Sequence, residues 1–293
     1  MELLRIDNTT AELFRWLDPW NCLEHVDIPG YFAVGAAIEE GDSIIPSGLI
    51  CCFETKNRIV IEWMCIDPAH RHEGIGEKLL LKVYDVAYYL SKEQVGVIID
   101  HSDEKKAFFE NAVGYFQERL FDEEESLSGT CKLKLSVIKK LPWFSRTDKI
   151  GTKPLGSVGP EVFRQFINTP ETNLPGTVMC KSNLSRLYMD FLDKNLSRVI
   201  LDGEKISGIF AVAVTESSIV PIVLYSESDQ ETDALLISSA REAIASNDPD
   251  MALKIISTDK NVGKLIEAIA YQKTVPMDLL LANVSEYQEA LQA

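Results

Sequence analysis

The sequence contains no apolar run long enough to cross a bilayer, a span that needs about 18–20 residues. Its first residues, 1–7, also lack the basic segment followed by an apolar one that marks a secretion signal. These two absences argue against a membrane protein and against export. We therefore expect a cytoplasmic protein with no membrane partner.

Cysteine and histidine are few and dispersed. The six cysteines form no C-x-x-C pair, and none stands in a cluster with any of the four histidines. In a reducing compartment such cysteines act as small core residues rather than as a disulfide framework or a zinc site. The sequence therefore predicts no metal centre.

Positive charge is scarce, because 29 Lys and Arg stand against 45 Asp and Glu, for a net charge of −16. Nucleic acids and anionic lipid surfaces need a basic face for their phosphates, so neither is an expected partner. The acidic balance fits a cationic substrate, and solubility explains it equally well. With 46% hydrophobic and 25% charged residues, the composition is that of an ordinary globular protein.

The chain is long enough for two domains of ordinary size, at 293 residues. Residues 141–160 are rich in Pro, Gly and Ser and have no sustained hydrophobic period, which is typical of a linker. The sequence therefore predicts a first domain over 1–140, a linker over 141–160 and a second domain over 161–293.

The hydrophobic pattern of the first half predicts a helix, an antiparallel sheet and a long second helix. Thr9 or Thr10 is the expected cap of the first helix, which runs through Leu17. The predicted strands are 31–38, 48–55 and 58–67, with turn residues at 39–47, followed by a helix after Gly74, a strand at 95–100 and a helix at 103–112. A closing hairpin is predicted from 116–121 and 130–138 around the acidic run 122–125.

The second half repeats the same order of elements. Strands are predicted at 198–202, 206–215 and 218–226, a helix at 231–245, a strand at 251–257, a helix at 261–270 and a closing strand at 275–281. Similar elements of similar length in the same order indicate a tandem duplication.

The most informative stretch is 59–81, in which a buried strand ends at Pro68 and a loop carries Arg71 before a helix opens at Gly74-Ile75-Gly76. The unpaired amides and partial positive charge of a helix N-terminus can hold phosphate oxygens. Glycine lets the backbone approach the anion without an intervening Cβ. The stretch therefore predicts a phosphate-binding turn.

One alternative is the dinucleotide-binding turn G-x-G-x-x-G with an acidic residue about 20 positions further on. Asp100 ends the next predicted strand, but Gly74 and Gly76 supply only two of the three glycines. Antiparallel hairpins also precede the turn, where that fold has parallel strands. The pattern disfavours a nicotinamide cofactor.

The second alternative is the GNAT superfamily of N-acetyltransferases, whose signature is [QR]-x-x-G-x-[GA] after a strand ending in V/I-x-P. Ile66-Asp67-Pro68 and then Arg71-His72-Glu73-Gly74-Ile75-Gly76 have that spacing, and the segment 108–115 (FFENAVGY) is similar to the family's FYEKLGF segment. The chain resembles this family over roughly 1–140. The resemblance implies an α+β fold of mixed sheets, with two GNAT-like domains, each a mostly antiparallel twisted sheet flanked by helices.

The resemblance also implies a cofactor, acetyl-CoA, and a role for each matched residue. The pantetheine arm of coenzyme A would extend the sheet beside Met64, Cys65 and Ile66. The pyrophosphate would bind the amides of the turn, Arg71, His72, Glu73, Gly74, Ile75 and Gly76. Glu62 is the expected general base, and Tyr115 the nearest candidate for a proton donor to the departing thiolate.

Several residues depart from the family pattern or allow another interpretation. Phe109 aligns best with the family's thiolate-protonating tyrosine but has no hydroxyl, and Glu73 stands where Arg or Lys is usual. Glu62 can equally be a solvated or paired strand residue. Cys65 beside the thioester allows a covalent route, although a buried thiol is the commoner explanation. His70 and His72 are expected on the loop surface.

Three functions follow from this pattern. The leading one is an acetyl-CoA-dependent N-acyltransferase acting on a small-molecule or peptide amine, for which a cationic acceptor fits the charge. The alternative is a non-catalytic acyl-CoA-binding or sensor protein, and the third is an interaction protein that has lost coenzyme A. A monomer and a homodimer both remain open.

The second half lacks the chemistry of the first. Where the turn should follow its central strand, residues 226–233 read SESDQETD, without glycine and with acidic side chains that repel phosphate. We expect a degenerate GNAT-like domain. The acidic run 122–125 is interpreted as a solvated loop that can also attract a cationic amine.

Overall fold

The computed structural model describes residues 1–41, 43–100, 106–119, 121–146, 150–168, 187–256 and 275–287. The chain divides into two compact units, Met1–Ser126 with Met277–Ala293, and Leu127–Pro276. This differs from the predicted 1–140 and 161–293, because the C-terminal segment lies with the first unit. The predicted linker 141–160 lies within the second unit.

In the part of the chain that the structure describes, the first unit contains a mixed sheet of six strands. Neighbouring strands follow the order β1-β2-β3-β4-β5-β12, and every pair is antiparallel except β4 with β5. The strands are β1 (Glu2–Ile6), β2 (Tyr31–Glu40), β3 (Ser43–Glu54), β4 (Arg58–Ile66), β5 (Gln94–Asp100) and β12 (Val275–Asn283).

The β2–β3 hairpin is tighter than predicted. Gly41, at φ +63°, lies in the turn, and β3 begins at Ser43 rather than at Gly48. The predicted turn residues 43–47 therefore form strand, and a bulge between Ala36 and Ala37 takes up the change of register. Isoleucines at 44 and 45 favour this extended conformation.

Among its described residues, the first unit has the α-helices α1 (Asn8–Phe14), α2 (Ile75–Tyr89) and α3 (Lys106–Gln117). The cap of α1 is Asp7, whose carboxylate accepts from the amides of Thr9 and Thr10, so the predicted threonine cap was wrong. Asp7 precedes the helix in extended conformation, the geometry that an N-cap needs.

Helix α2 packs against the sheet through one face of its surface. Burying a large apolar side chain stabilises the fold by about 1.5–3 kcal/mol, so this face holds α2 firmly on the strands. The buried side chains are Ile75, Leu79, Leu80, Val83, Tyr84 and Ala87.

The C-terminal strand β12 completes the sheet of the first unit, where the sequence predicted a closing strand for the second domain. It pairs with β5 in antiparallel register from Met277 opposite Asp100 to Asn283 opposite Gln94. Just beyond it, the ring of Tyr287 stacks on the buried Tyr84 of α2, with ring centroids 3.7 Å apart. Sequence periodicity carries no information on which sheet a strand joins.

The second unit has a similar sheet in the order β6-β11-β10-β9-β8-β7. The helices are α4 (Leu135–Ile138), α5 (Pro160–Asn168) and α6 (Asp229–Ser246), and the predicted helix at 261–270 lies outside the described residues. The strands are β6 (Glu123–Lys134), β7 (Lys153–Pro154), β8 (Arg198–Asp202), β9 (Lys205–Val214), β10 (Ser218–Tyr225) and β11 (Ala252–Ile256).

The predicted closing hairpin of the first half does not form. Phe116 belongs to α3, and residues 123–134 are one continuous strand, so the acidic run starts a strand instead of a loop. Glu125 Oε2 lies 2.9 Å from Arg58 Nη1, and the Arg58 Nε donates to Gln94. Glu125, one residue of the acidic run, is therefore part of an ion pair with Arg58.

Among the described residues, no helix combines the length and the hydropathy that a membrane crossing requires.

Candidate active site

A β-bulge at Glu62 interrupts the pairing of β3 with β4. Cys51 lies opposite Trp63 and Cys52 opposite Ile61, so Glu62 is the extra residue on β4. A bulge bends its strand and redirects the side chains around it. The predicted base therefore stands at a distortion of the strand.

Beyond this bulge the two parallel strands separate. In the described part of the chain, β4 pairs with β5 over Arg58–Ile61 and Gln94–Val97 only, while β5 continues alongside β12. Met64 to Ile66 still pair with β3 on their other side. The end of β4 from Met64 to Ile66 therefore has an unpaired edge on the side that faces β5, among the described residues.

The three residues at this edge are partly buried and point to alternate faces. Met64 and Ile66 pack against the core cluster that contains α2, whereas Cys65 packs against the cluster around Phe14 and Trp63. Burial raises the pKa of the Cys65 thiol, although nearby Arg71 partly opposes the shift. A thiol that stays protonated is a poor nucleophile, which argues against a covalent route.

A short, well-defined loop joins β4 to α2. Asp67 accepts from the amide of Ala69, and residues Pro68–His70 form one 3₁₀ turn. Two residues then adopt left-handed backbone geometry, His72 at φ +67° and Gly74 at φ +77°. This geometry turns the chain into the start of α2.

The first turn of α2 has no side-chain cap. Gly74 is its N-cap residue and provides no hydrogen-bonding side chain, so amides at this terminus have no side-chain acceptor there. A Cβ at Gly76 would lie 2.8 Å from the Tyr115 hydroxyl and 3.0 Å from the Met64 Cε, so a side chain there would force these groups to shift. Amides without a side-chain cap at a helix N-terminus can bind an anion.

Two charged side chains of the loop have partners within the loop and the end of β4. Glu73 Oε2 lies 3.4 Å from His70 Nδ1, and the Arg71 Nε donates to the Ile66 carbonyl at 3.4 Å. The Glu73 carboxylate, which departs from the family pattern, is thus held towards His70. His72 is exposed.

Tyr115 lies in α3 with its ring beneath the Arg119 guanidinium, 3.7 Å from the ring centroid. Its hydroxyl is buried beside Gly76 and has no hydrogen-bond partner among the described residues. Burial raises the pKa of this hydroxyl, although Arg119 partly opposes the shift. Tyr115 therefore keeps its proton at neutral pH, next to the amides of α2.

Glu62 forms a buried pair that the sequence does not reveal. Its Oε2 lies 3.7 Å from the Nδ1 of His25, and the side chains are 8% and 2% exposed. His25 ends a 3₁₀ turn, Cys22–His25, that lies between α1 and β2. No spacing rule links it to a residue 37 positions later, so only tertiary structure brings the two together.

The described residues contain no group of three His, Cys, Asp or Glu side chains arranged to hold a metal ion. Phe109 lies in α3 as part of the expected second motif, and its side chain is outside the described residues.

The second unit repeats the strand geometry without the glycine turn that precedes α2. Strand β10 has a bulge between Pro221 and Val223, where Ile222 is the extra residue, and it pairs with β11 only over Ser218 and Ile219 among the described residues. Ile222 is 1% exposed. An apolar, buried residue thus stands where the first unit has Glu62.

Helix α6 also differs from α2 at its N-terminus. The Ser228 hydroxyl accepts from the Glu231 amide, and Glu231 Oε2 accepts from the Glu227 amide at 2.8 Å. The Ser228 hydroxyl thus caps one amide of this helix end, and the Glu231 carboxylate occupies the amide of Glu227 just before it. Both acceptors belong to the chain itself.

Residues 2–115 match the family described as Acetyltransferase (GNAT) family. This matched stretch contains the Arg71–Gly76 segment on which the resemblance seen in the sequence depends. A comparison with curated proteins finds no sequence match.

One solved structure extends the likeness to the whole chain at the level of fold, and a second is a weaker match. A tandem GNAT protein from the clavulanic acid biosynthesis pathway is 12% identical, covers 97% of this chain and 98% of its own, and superposes with a TM-score of 0.55. A protein from Pyrococcus horikoshii, described as an acetyltransferase, is 13% identical over 96% of this chain and 89% of its own, with a TM-score of 0.49. The chain has the tandem GNAT fold.

Proposed function

We propose that the first unit is an acetyl-CoA-dependent N-acyltransferase. The observation that carries this proposal is that one short loop joins two features. They are the edge of β4 beyond Glu62, which β5 does not pair with, and the N-terminus of α2, which has no side-chain cap. A linear cofactor with a pyrophosphate at one end and an amide-rich arm at the other needs both a strand edge and an anion site. In the second unit the helix end is self-capped.

Each part of coenzyme A has its complement in this arrangement. The pantetheine amides pair with the backbone of Met64, Cys65 and Ile66, as an added strand would. The pyrophosphate binds the amides between Arg71 and Gly76, where the dipole of α2 and the Arg71 side chain supply positive charge. The acetyl thioester then lies towards Glu62.

The reaction needs two proton transfers. Glu62 removes a proton from the acceptor ammonium, the free amine attacks the thioester carbonyl, a C–N bond forms and the C–S bond breaks. The thiolate leaves with a proton supplied by Tyr115, which regains one from the amide nitrogen through solvent. The products are an N-acetylated amine, free CoA and one released proton.

The acceptor is a primary amine, either a small molecule or a residue of a peptide. A net charge of −16 supports a cationic acceptor, because an acidic protein attracts cations over roughly a Debye length.

The second candidate is a protein that binds acyl-CoA without turnover. It is favoured by Phe109, which has no hydroxyl where the family segment has tyrosine. Tyr115 takes that place in our proposal, so its replacement separates the two functions.

Acetyl-CoA binding is tested by thermal shift and calorimetry on the full chain, and turnover by release of free CoA with a panel of primary amines. Chromatographic detection avoids the background of the six cysteines. We expect binding, turnover with at least one amine, and a turnover loss of about 10²-fold in Tyr115→Phe with unchanged affinity. Binding without any turnover supports the second candidate, and absence of binding at millimolar acetyl-CoA refutes both.

A further inference from the structure

The pair formed by His25 and Glu62 is shielded from water to an unusual degree for ionisable groups. Both side chains are more than nine-tenths buried, and Nδ1 of the imidazole faces Oε2 of the carboxylate at 3.7 Å. Isolated buried charges are costly, so a carboxylate at this depth needs a partner that can share a proton with it. The imidazole is such a group.

The ring of His25 packs against an aromatic neighbour, but its two nitrogens have no hydrogen-bond partner among the described residues. It packs at 59° against the ring of Tyr31, with centroids 5.1 Å apart. Neither ring nitrogen has a hydrogen-bond partner among the described residues, although both are buried. Most buried polar atoms are hydrogen-bonded, so a ring with two buried nitrogens that lack such bonds is an exception. Such a ring can take part in a proton transfer.

A second carboxylate lies in the same part of the core. Asp18 is buried, and its Oδ2 accepts from the Leu23 amide at 2.6 Å. After burial itself, the charges of Asp18 and Glu62 are among the causes that raise the pKa of the Cys51 thiol, which places both carboxylates near this cysteine. His25 therefore faces Glu62 in a part of the core that holds another buried carboxylate.

We propose that His25 is a positioning residue for Glu62, holding the carboxylate at the bulge and sharing the proton that it takes from the acceptor amine. This inference rests on the function proposed above. The ammonium N–H bond breaks as the proton passes to Glu62, which shares it with His25 Nδ1 once the 3.7 Å between the two atoms shortens to hydrogen-bond distance in the substrate complex. The amine then forms the C–N bond, and the couple releases its proton to solvent after CoA has left.

Replacing His25 by Phe keeps an aromatic ring against Tyr31 and removes both nitrogens. We expect turnover to fall about 10²-fold, a typical contribution of general acid–base catalysis, with unchanged affinity for acetyl-CoA. His25→Gln, which retains a donor, should recover part of the rate. The double variant with Glu62→Gln should be no slower than Glu62→Gln alone, because the two groups act as one.

The matched control is another buried ion pair of the first unit, Glu54 with Lys92, whose side chains are each 5% exposed. Glu54→Gln should lower Tm while leaving kcat and the acetyl-CoA Kd unchanged. Full turnover in His25→Phe, or rate losses that simply add in the double variant, overturns the inference. A wild-type protein that turns over no amine refutes the proposed function instead.

A spectroscopic measurement does not depend on turnover or on folding of the His25 variants. In ¹⁵N-histidine spectra of the full chain, the nitrogen resonances assigned to His25 should shift between wild type and the near-isosteric Glu62→Gln. Identical His25 resonances in the two proteins would mean that the imidazole and the carboxylate do not share a proton, and would overturn the inference.

Discussion

Glu62 and Ile222 occupy the same place in two strands, because each is the extra residue of the bulge in the fourth strand of its unit's antiparallel run, β4 and β10. Glu62 lies 3.7 Å from His25, whereas Ile222 is an apolar residue that is 1% exposed. The bulge alone therefore does not make an active site. What differs is the side chain at the bulge and the capping of the helix that follows.

The phosphate-binding turn is tested by comparing two glycines. Gly74 and Gly203 both have positive φ, at +77° and +62°, and a Cβ would meet nothing within 4 Å at either position. Gly74→Glu and Gly203→Glu should each lose about 1–2 kcal/mol of stability from the left-handed backbone. Only Gly74→Glu should also abolish binding of acetyl-CoA, measured by calorimetry. Equal affinities in the two variants would contradict the assignment of the turn.

Replacing Glu73 by a basic residue should increase the affinity for acetyl-CoA. Its carboxylate lies 3.4 Å from His70 and beside the proposed pyrophosphate site, where a negative charge repels the ligand. Glu73→Arg should tighten acetyl-CoA binding several-fold at low ionic strength. The gain should shrink at high salt, because exposed charges are screened within about 3 Å at 1 M. A gain that salt does not change would point to a structural effect rather than to charge.

The C-terminal strand should stabilise the first unit. Tyr287 is 9% exposed and stacks on Tyr84, so Tyr287→Ala should lower the free energy of unfolding by about 3 kcal/mol, the cost of a large-to-small core change. Tyr188→Ala is the control, because Tyr188 is 61% exposed and should change stability little. Urea denaturation measures both. Similar midpoints for the two variants would show that the stacked pair contributes nothing.

Alkaline pH should weaken the first unit. Burial raises the pKa of the hydroxyls of Tyr84, Tyr115 and Tyr287 and of the thiols of Cys51 and Cys52. The unfolded chain releases these protons at lower pH than the folded one, so their contribution is complete below about pH 8.5 and is lost as pH rises through 9 and 10. Urea midpoints from pH 8 to 10.5 should fall, and less steeply in Tyr84→Phe. A midpoint independent of pH would contradict this.

Most of the strands and helices that the structure describes could be predicted from the sequence, and so could the glycine turn before α2. These follow from local chemistry, because hydrophobic period fixes the element type and glycines at 74 and 76 need no distant partner. The turn at 39–47, the cap of α1 and the hairpin at 116–138 were wrong, since bulges and caps depend on which residues finally pair.

Only the tertiary structure decided that β12 joins β5 and that His25 meets Glu62. Both contacts join residues far apart in the chain, and the free energy that selects them comes from packing and burial rather than from local propensity. Glu62 was a candidate from its position four residues before Ile66. Its burial beside an imidazole, which gives the carboxylate a partner for its proton, is a property of the folded molecule alone.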